Sequence, residues 1–347
     1  MTVLAGLAAA LYLIFLGPLG SGGGRAEPAA PPGARQALHP GRRPAAYRGD
    51  RAEANAAARS LPREASAELT FLLDAQQRDG GFPLQAGQPS SPMVSAWVAV
   101  ALAAVARSSS LPAGSERRLA TYLVGSVAQE RDPGSIERTV VALRALGEPV
   151  GEVDGVALLG RLERLIGRDG SVDQQTNLTS WAIIALRAAR APVPAAVVHW
   201  LLAQQDGDGG FNFATGGHRT PSDPDDTGAA LEALAAAGSS GGRARVIAIT
   251  RALAYLHRDQ NRDGGFGSPL GASSNTQSTA WAVQGLIASG ADPANFHRRG
   301  GSNPLAYLRA LTGPHGAVAY MRGVEQSPVW VTAAVLPALL GYADPIA

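Results

Sequence analysis

Apolar residues recur at helical spacing along most of this chain. Leu69, Leu72 and Leu73 fall at i, i+3 and i+4, and Val283, Leu286 and Ile287 repeat the pattern far downstream. Between such stretches, Gly-Gly and Gly-Ser-Pro clusters interrupt the periodicity, so the sequence predicts helices separated by turns. The turns themselves recur. One reads Gln76-Gln77-Arg78-Asp79-Gly80-Gly81-Phe82, a second Gln205-Asp206-Gly207-Asp208-Gly209-Gly210-Phe211, a third Gln260-Asn261-Arg262-Asp263-Gly264-Gly265-Phe266. An aromatic precedes each Gln by five residues (Phe71, Trp200, Tyr255), and an alanine-rich segment follows each Phe. A fixed internal period marks an array of like units.

Tryptophan supplies a second anchor, at Trp97, Trp181, Trp281 and Trp330, with Ala229 and Arg138 in the corresponding places of two further copies. Six anchors predict six helical hairpins, hence twelve helices in one domain spanning residues 52–343. An array leaves two apolar ends unless it is capped or closed. The last repeat, Val331 to Leu340, is as apolar as the middle ones. The expectation is therefore an all-α (α/α)6 toroid closed into a ring.

The Gln-x-x-x-Gly-Gly-Phe plus Trp repeat resembles the "QW" repeat of the squalene-hopene cyclase, oxidosqualene cyclase and protein prenyltransferase β-subunit superfamily. The resemblance implies a toroid whose inner helices surround a cavity. It also implies that Gln76, Gln205 and Gln260 tie one hairpin to the next and stack on the Trp. Cobalamin carriers and complement thioester domains share the ring, so fold alone does not assign an activity.

One run carries candidate chemistry. Asp223-Pro224-Asp225-Asp226-Thr227 stands at the start of the second helix of the fourth repeat. It is similar to the Asp-x-Asp-Asp-Thr motif of class II terpene cyclases. The resemblance implies that Asp225 is the general acid that protonates an alkene or epoxide, with Asp223 and Asp226 tuning it and with no metal or redox cofactor. A carboxyl kept protonated in a dry cavity suits that task. The same residues also make a good helix start: Asp223 as N-cap, Pro224 at the first position and acids at the positive end of the dipole. The aligned places in other repeats hold Met93, Asn177, Gln277 and Gln326.

Composition trims the alternatives. Aromatics are only 5% of the chain, few for lining a carbocation path. Family cyclases also place their site between two barrels where this chain has length for one, which leaves room for a partner chain carrying the second. Both points weigh against full polycyclisation. The absence of Cys removes the Asp/Cys/His zinc set of protein prenyltransferases and the thioester of complement, and the six His show no ligand spacing. Asp206 to Gly210 looks faintly like a calcium loop, but the twelfth residue is Gly217 rather than Glu. The formal charge is +2, its positive side wholly Arg and dispersed, which argues against nucleic acid.

Residues 1–20 contain an uncharged apolar run, Val3 to Leu16, of a length that fits a signal peptide or a membrane anchor. Residues 21–51 form a Pro/Gly/Ala/Arg-rich linker of the kind that separates an anchor from an extracytoplasmic domain. The expectation is a membrane-anchored or secreted envelope protein, while the arginines after the run leave a cytoplasmic toroid behind an anchor open. Two functions stay open. One is acid-initiated cyclisation of an isoprenoid by Asp225; the other is a non-catalytic ring that holds an apolar or amphipathic small molecule, as cobalamin carriers of this fold do.

Overall fold

The computed structural model describes residues 61–109, 111–112, 114–213, 221–269 and 271–345. Among these residues twelve α-helices follow one another. They are α1 (Arg63–Ala75), α2 (Pro92–Ser108), α3 (Ser115–Ser126), α4 (Pro133–Ala145), α5 (Leu158–Leu165), α6 (Thr176–Ala188), α7 (Ala195–Ala203), α8 (Pro224–Ala236), α9 (Gly242–Asp259), α10 (Thr276–Ala288), α11 (Pro304–Arg309) and α12 (Pro328–Leu340). The N-terminal run and linker expected at residues 1–20 and 21–51 lie outside the described residues. No helix among the described residues is long and apolar enough to cross a membrane.

The even-numbered helices pack in a cycle: α2 on α4, α4 on α6, α6 on α8, α8 on α10, α10 on α12, and α12 back on α2. Each odd-numbered helix packs outside the even helix that precedes it, with α1 against α12. The (α/α)6 toroid is closed. Composition explains which layer each helix takes. Every residue of α8 from Pro224 to Leu234 is buried, as is every residue of α10 from Thr276 to Leu286, the condition of a helix with protein on all sides. On α9 the buried residues are Ala248, Ala252, Tyr255 and Leu256, a single stripe at helical spacing.

Helix starts are written into the sequence. Asp132, Asp223, Asn275 and Asn303 each accept a hydrogen bond from the backbone N–H three residues on, at 2.8–2.9 Å, and Pro follows the cap in α4, α8 and α11. Such a cap stabilises a helix by about 1 kcal/mol.

The recurring turns join neighbouring hairpins. The Gln76 amide donates to the Gly80 carbonyl and, across the gap, to the Ser115 carbonyl at 3.0 Å. Gln205 reaches Gly209 and Ala248 in the same way, and Gln260 reaches Gly264 and Phe296. The first glycine of the turn has φ near +90° and lies against the next hairpin, so that a Cβ on Gly209 would stand 2.7 Å from the Arg251 carbonyl oxygen. The same turn recurs in two places where the motif has decayed, at Gly170 and Gly316. Gly316 closes the ring: a Cβ there would lie 1.9 Å from the Ala67 carbonyl of α1. Beside it, Thr312 donates to the buried Glu68 of α1 at 2.8 Å.

Two expectations need correction. Trp97, Arg138, Trp181, Ala229 and Trp281 each occupy the sixth position of their helix, whereas Trp330 is third in α12, where Ala333 holds the sixth. Gln326 therefore precedes the cap residue Ser327 and does not correspond to Asp225. Among the described residues, the tryptophans also meet one another near the axis. Trp97 meets Trp181 at a centroid distance of 5.3 Å and Trp281 at 6.0 Å. These rings come from alternate inner helices, so they can meet only across the axis. The tryptophans thus stack on one another, and the glutamines do their tying at the outer turns.

Candidate active site

The inward face of each inner helix can be followed one turn at a time from its sixth residue. Four residues earlier, at the N-terminal end, the series runs Met93, Gly134, Asn177, Asp225, Gln277 and Val329; three residues later it runs Val100, Val141, Ile184, Glu232, Gln284 and Leu336. The axis is thus layered. A polar layer containing Asp225 lies over an aromatic plug, and a mixed layer containing Glu232 lies beneath.

The structure brings all three predicted carboxyls together and assigns them different tasks. Asp223 is the cap: its side chain accepts from the Asp226 N–H at 2.8 Å, and its own N–H donates to the Phe211 carbonyl at 2.9 Å. Asp226 shares a side-chain hydrogen bond with Asp223. Asp225 is left out of that pair. It is 7% exposed, its Oδ1 meets no hydrogen-bonding group among the described residues, and it is hydrogen-bonded to the Ser278 side chain of α10. Ser278 Oγ accepts from Asn275 Nδ2 at 2.9 Å, which leaves its hydroxyl proton for Asp225.

Burial raises all three acids. Asp225 is pushed up to about 7 by burial first and then by the charge of Asp223. Asp226 rises to about 7 through burial and the charge of Asp225, and Asp223 rises well above the ordinary range through burial and the charge of Asp226. Tyr320, in the loop before α12, is pushed up to about 12 by burial first and then by the charge of Asp225. The Tyr320 carbonyl in turn accepts from the Thr276 N–H at 2.8 Å, tying this loop to the start of α10.

The approach of α8 to α10 depends on two glycines. A Cβ on Gly228 would lie 2.6 Å from the Trp281 carbonyl oxygen, and one on Gly285 would lie 2.9 Å from Gly228 Cα. This contact, one turn below Asp225, is what brings it to Ser278.

Below the acid, the plug is aromatic and cationic. The Arg138 guanidinium lies 5.6 Å from the centre of the Trp97 ring and 5.4 Å from that of Trp181, a favourable cation–π arrangement. Its neighbour Glu137 is fully buried, and burial raises it well above the usual carboxylate range. The space left between Ala96, Trp97, Val100, Arg138, Val141 and Trp181 is only about 10 Å³, room for about one water.

Sequence reasoning missed Ser278 and Tyr320, whose approach to Asp225 has no local signal. It took Arg138 as a poor copy of a Trp, although that position is the one that reaches the axis. Glu232 left a trace: a lone acid in the alanine-rich run Ala229 to Ala236.

No protein-family model matches the chain. A 132-residue stretch is 36% identical to drimenyl diphosphate synthase of Streptantibioticus cattleyicolor, covering 38% of this chain and 23% of that protein. Among solved structures, the type II terpene cyclase MstE from Scytonema aligns with a TM-score of 0.59 at 16% identity, over 80% of this chain and 97% of its own. Haptocorrin in complex with Cbi aligns with a TM-score of 0.51 at 16% identity, over 81% of this chain and 67% of its own. Nearly all of MstE is matched by this one ring, so the expectation that cyclases of this fold require two barrels is set aside. The chain shares its α/α toroid fold with the type II terpene cyclase MstE and with haptocorrin.

Proposed function

We propose that the protein is a single-ring cyclase that starts an isoprenoid cyclisation by proton transfer from Asp225. The observation that carries this reading is the division of labour at the start of α8: Asp223 does the capping, while Asp225 is buried on the inward face with one oxygen unengaged. A capping residue would meet solvent at the helix end, and Asp225 does not. Burial favours the protonated carboxyl, and the unengaged oxygen is free to present a proton to an alkene carbon. The π pair forms the new C–H bond, and the cyclised cation loses a proton elsewhere, so the product is an isomer of the substrate.

MstE has been solved with geranylgeranyl dihydroxybenzoate as substrate and with merosterolic acid A as product, and an isoprenoid is the substrate class we carry to this chain. A second reading, a non-catalytic ring that holds a small apolar ligand, draws on the same fold in haptocorrin in complex with Cbi. Incubating the full chain with linear prenyl compounds of increasing length separates the two. An isomeric product by mass spectrometry that disappears in Asp225→Asn supports the acid; turnover that survives the substitution refutes it.

A further inference from the structure

Asn275 and Ser278 of α10 hold the places that Asp223 and Asp226 hold in α8. In each helix the first residue is the N-cap, and the second supplies the backbone N–H that the cap accepts. The same two places therefore carry carboxyls on α8 and neutral hydrogen-bonding groups on the helix packed against it. Capping alone does not account for the exchange, because Asp and Asn serve almost equally well as caps.

The bonds of this pair run in one direction. Asn275 is held by the recurring turn, its N–H donating to the Phe266 carbonyl at 2.8 Å. A backbone N–H only donates, so the side-chain atom of Asn275 that meets the Ser278 N–H at 2.8 Å is the oxygen. Its other terminal atom is then the amide nitrogen, which donates to Ser278 Oγ at 2.9 Å. Both residues are buried. The Ser278 hydroxyl proton is thus directed to Asp225, the other partner of that side chain among the described residues. Oδ1 of Asp225 has no hydrogen-bonding partner among the described residues, so the hydroxyl meets Oδ2.

We infer, on the reading of Asp225 as the acid, that Asn275 is a positioning residue: by turning the Ser278 hydroxyl onto Oδ2 it makes that oxygen the carbonyl and leaves the transferable proton on Oδ1. When an alkene π pair takes that proton, a C–H bond forms and the O–H electron pair stays on the carboxyl. The Ser278 bond then becomes charge-assisted and stronger, so Ser278 makes Asp225 a better acid and Asn275 keeps it in that role. The other charges around Asp225 stay in place when this pair is changed. Asp223 on its own helix and Asp259 of α9 raise it, while Tyr255 of α9 and Tyr320 before α12 are held neutral by burial and by the acids near them. Helices α10 and α12 carry no charge, the one charge of α6 is the exposed Arg187 in its last turn, and Arg138 of α4 lies one turn lower.

Four variants of the full chain test this. Gly caps nearly as well as Asn but has no amide, so Asn275→Gly frees the hydroxyl without adding charge; in Asn275→Asp the second carboxyl oxygen accepts the hydroxyl and turns it away from Asp225. Ser278→Ala removes the donor, and Ser278→Thr restores one. The NMR shift of the Asp225 carboxyl carbon, identified by its absence in Asp225→Asn, gives the titration midpoint. It should move upward in Asn275→Gly and Ser278→Ala, furthest in Asn275→Asp, and back toward wild type in Ser278→Thr. With linear prenyl compounds, kcat below the midpoint should fall about tenfold in Asn275→Gly and Ser278→Ala, with the decline at rising pH displaced upward. A cap that is merely structural would lower the melting temperature and leave the midpoint where it was. An unmoved midpoint in Asn275→Gly, or one that moves in Asn275→Asp alone, would overturn the inference even where Asp225→Asn abolishes turnover. Turnover that survives Asp225→Asn removes the acid reading instead, and the carboxyl midpoint still decides the orientation.

Discussion

Replacing Gly228 by Ala should destabilise this protein, against the general rule for helices. In an exposed helix interior, Gly→Ala gains about 1 kcal/mol, because glycine is the most flexible residue in the unfolded chain. At Gly228 the new Cβ would stand 2.6 Å from the Trp281 carbonyl oxygen, 2.8 Å from its carbon and 3.2 Å from the Ala282 nitrogen. All three are backbone atoms, so no rotamer change relieves the clash and α10 must retreat. Overpacking of this kind costs about 1–3 kcal/mol. Contacts this short belong at the upper end, which leaves a net loss of about 2 kcal/mol after the propensity gain. At about 2–4 °C per kcal/mol for a large domain, the melting temperature should fall by about 4–8 °C. Gly125 of α3 is the control, since a Cβ there meets nothing within 4 Å; Gly125→Ala should raise stability by about 0.5–1 kcal/mol. Urea unfolding of both variants followed by circular dichroism gives the signs. A Gly228→Ala protein as stable as wild type would refute the close approach of α8 and α10, and with it the geometry that brings Asp225 to Ser278.

Three further outcomes are expected. With Asp225 as proton donor and a pKa near 7, turnover should decline as pH rises through about 7, because the acid form is lost; a rate that climbs through that range would remove Asp225 from the role. Glu68 has a folded pKa of about 8 against an ordinary 4.5, through burial above all. The native state therefore keeps its proton where the unfolded chain loses it, and stability falls between pH 4.5 and 8 by an amount on the order of 5 kcal/mol at full expression. Glu68→Gln keeps an acceptor for Thr312 and should be more stable than wild type in urea at pH 8 yet similar at pH 5; parallel pH curves would show that burial of the acid is not costly. Gln205→Ala removes the tie to Ala248 and should cost about 1–2 kcal/mol in the same assay, and no loss would mean the turn is held by its glycines alone.

Much of the fold was legible because it is local and repeated. The hairpins, their caps at Asp132, Asp223 and Asn275, and the tying glutamines all depend on residues close in sequence, and six copies of the pattern reinforce one another. Even the closed ring followed from the apolar last repeat, since an exposed end of that composition would be costly. The three carboxyls of the candidate site were equally visible, lying within four consecutive positions at one helix start. What the residues could not divide was their labour. Asp223 caps and Asp225 is buried because α10 approaches at Gly228 and Gly285, which sets Ser278 against Asp225, and no local rule encodes that distance. The filled centre belongs to tertiary structure too. Only when α2, α4, α6 and α10 stand round one axis do Trp97, Arg138, Trp181 and Trp281 meet, and only the path of the chain after α12 carries the Asp344 N–H to Glu232. Periodicity in sequence determines which faces are buried; what those faces meet across a ring depends on helix positions that no short stretch of sequence specifies.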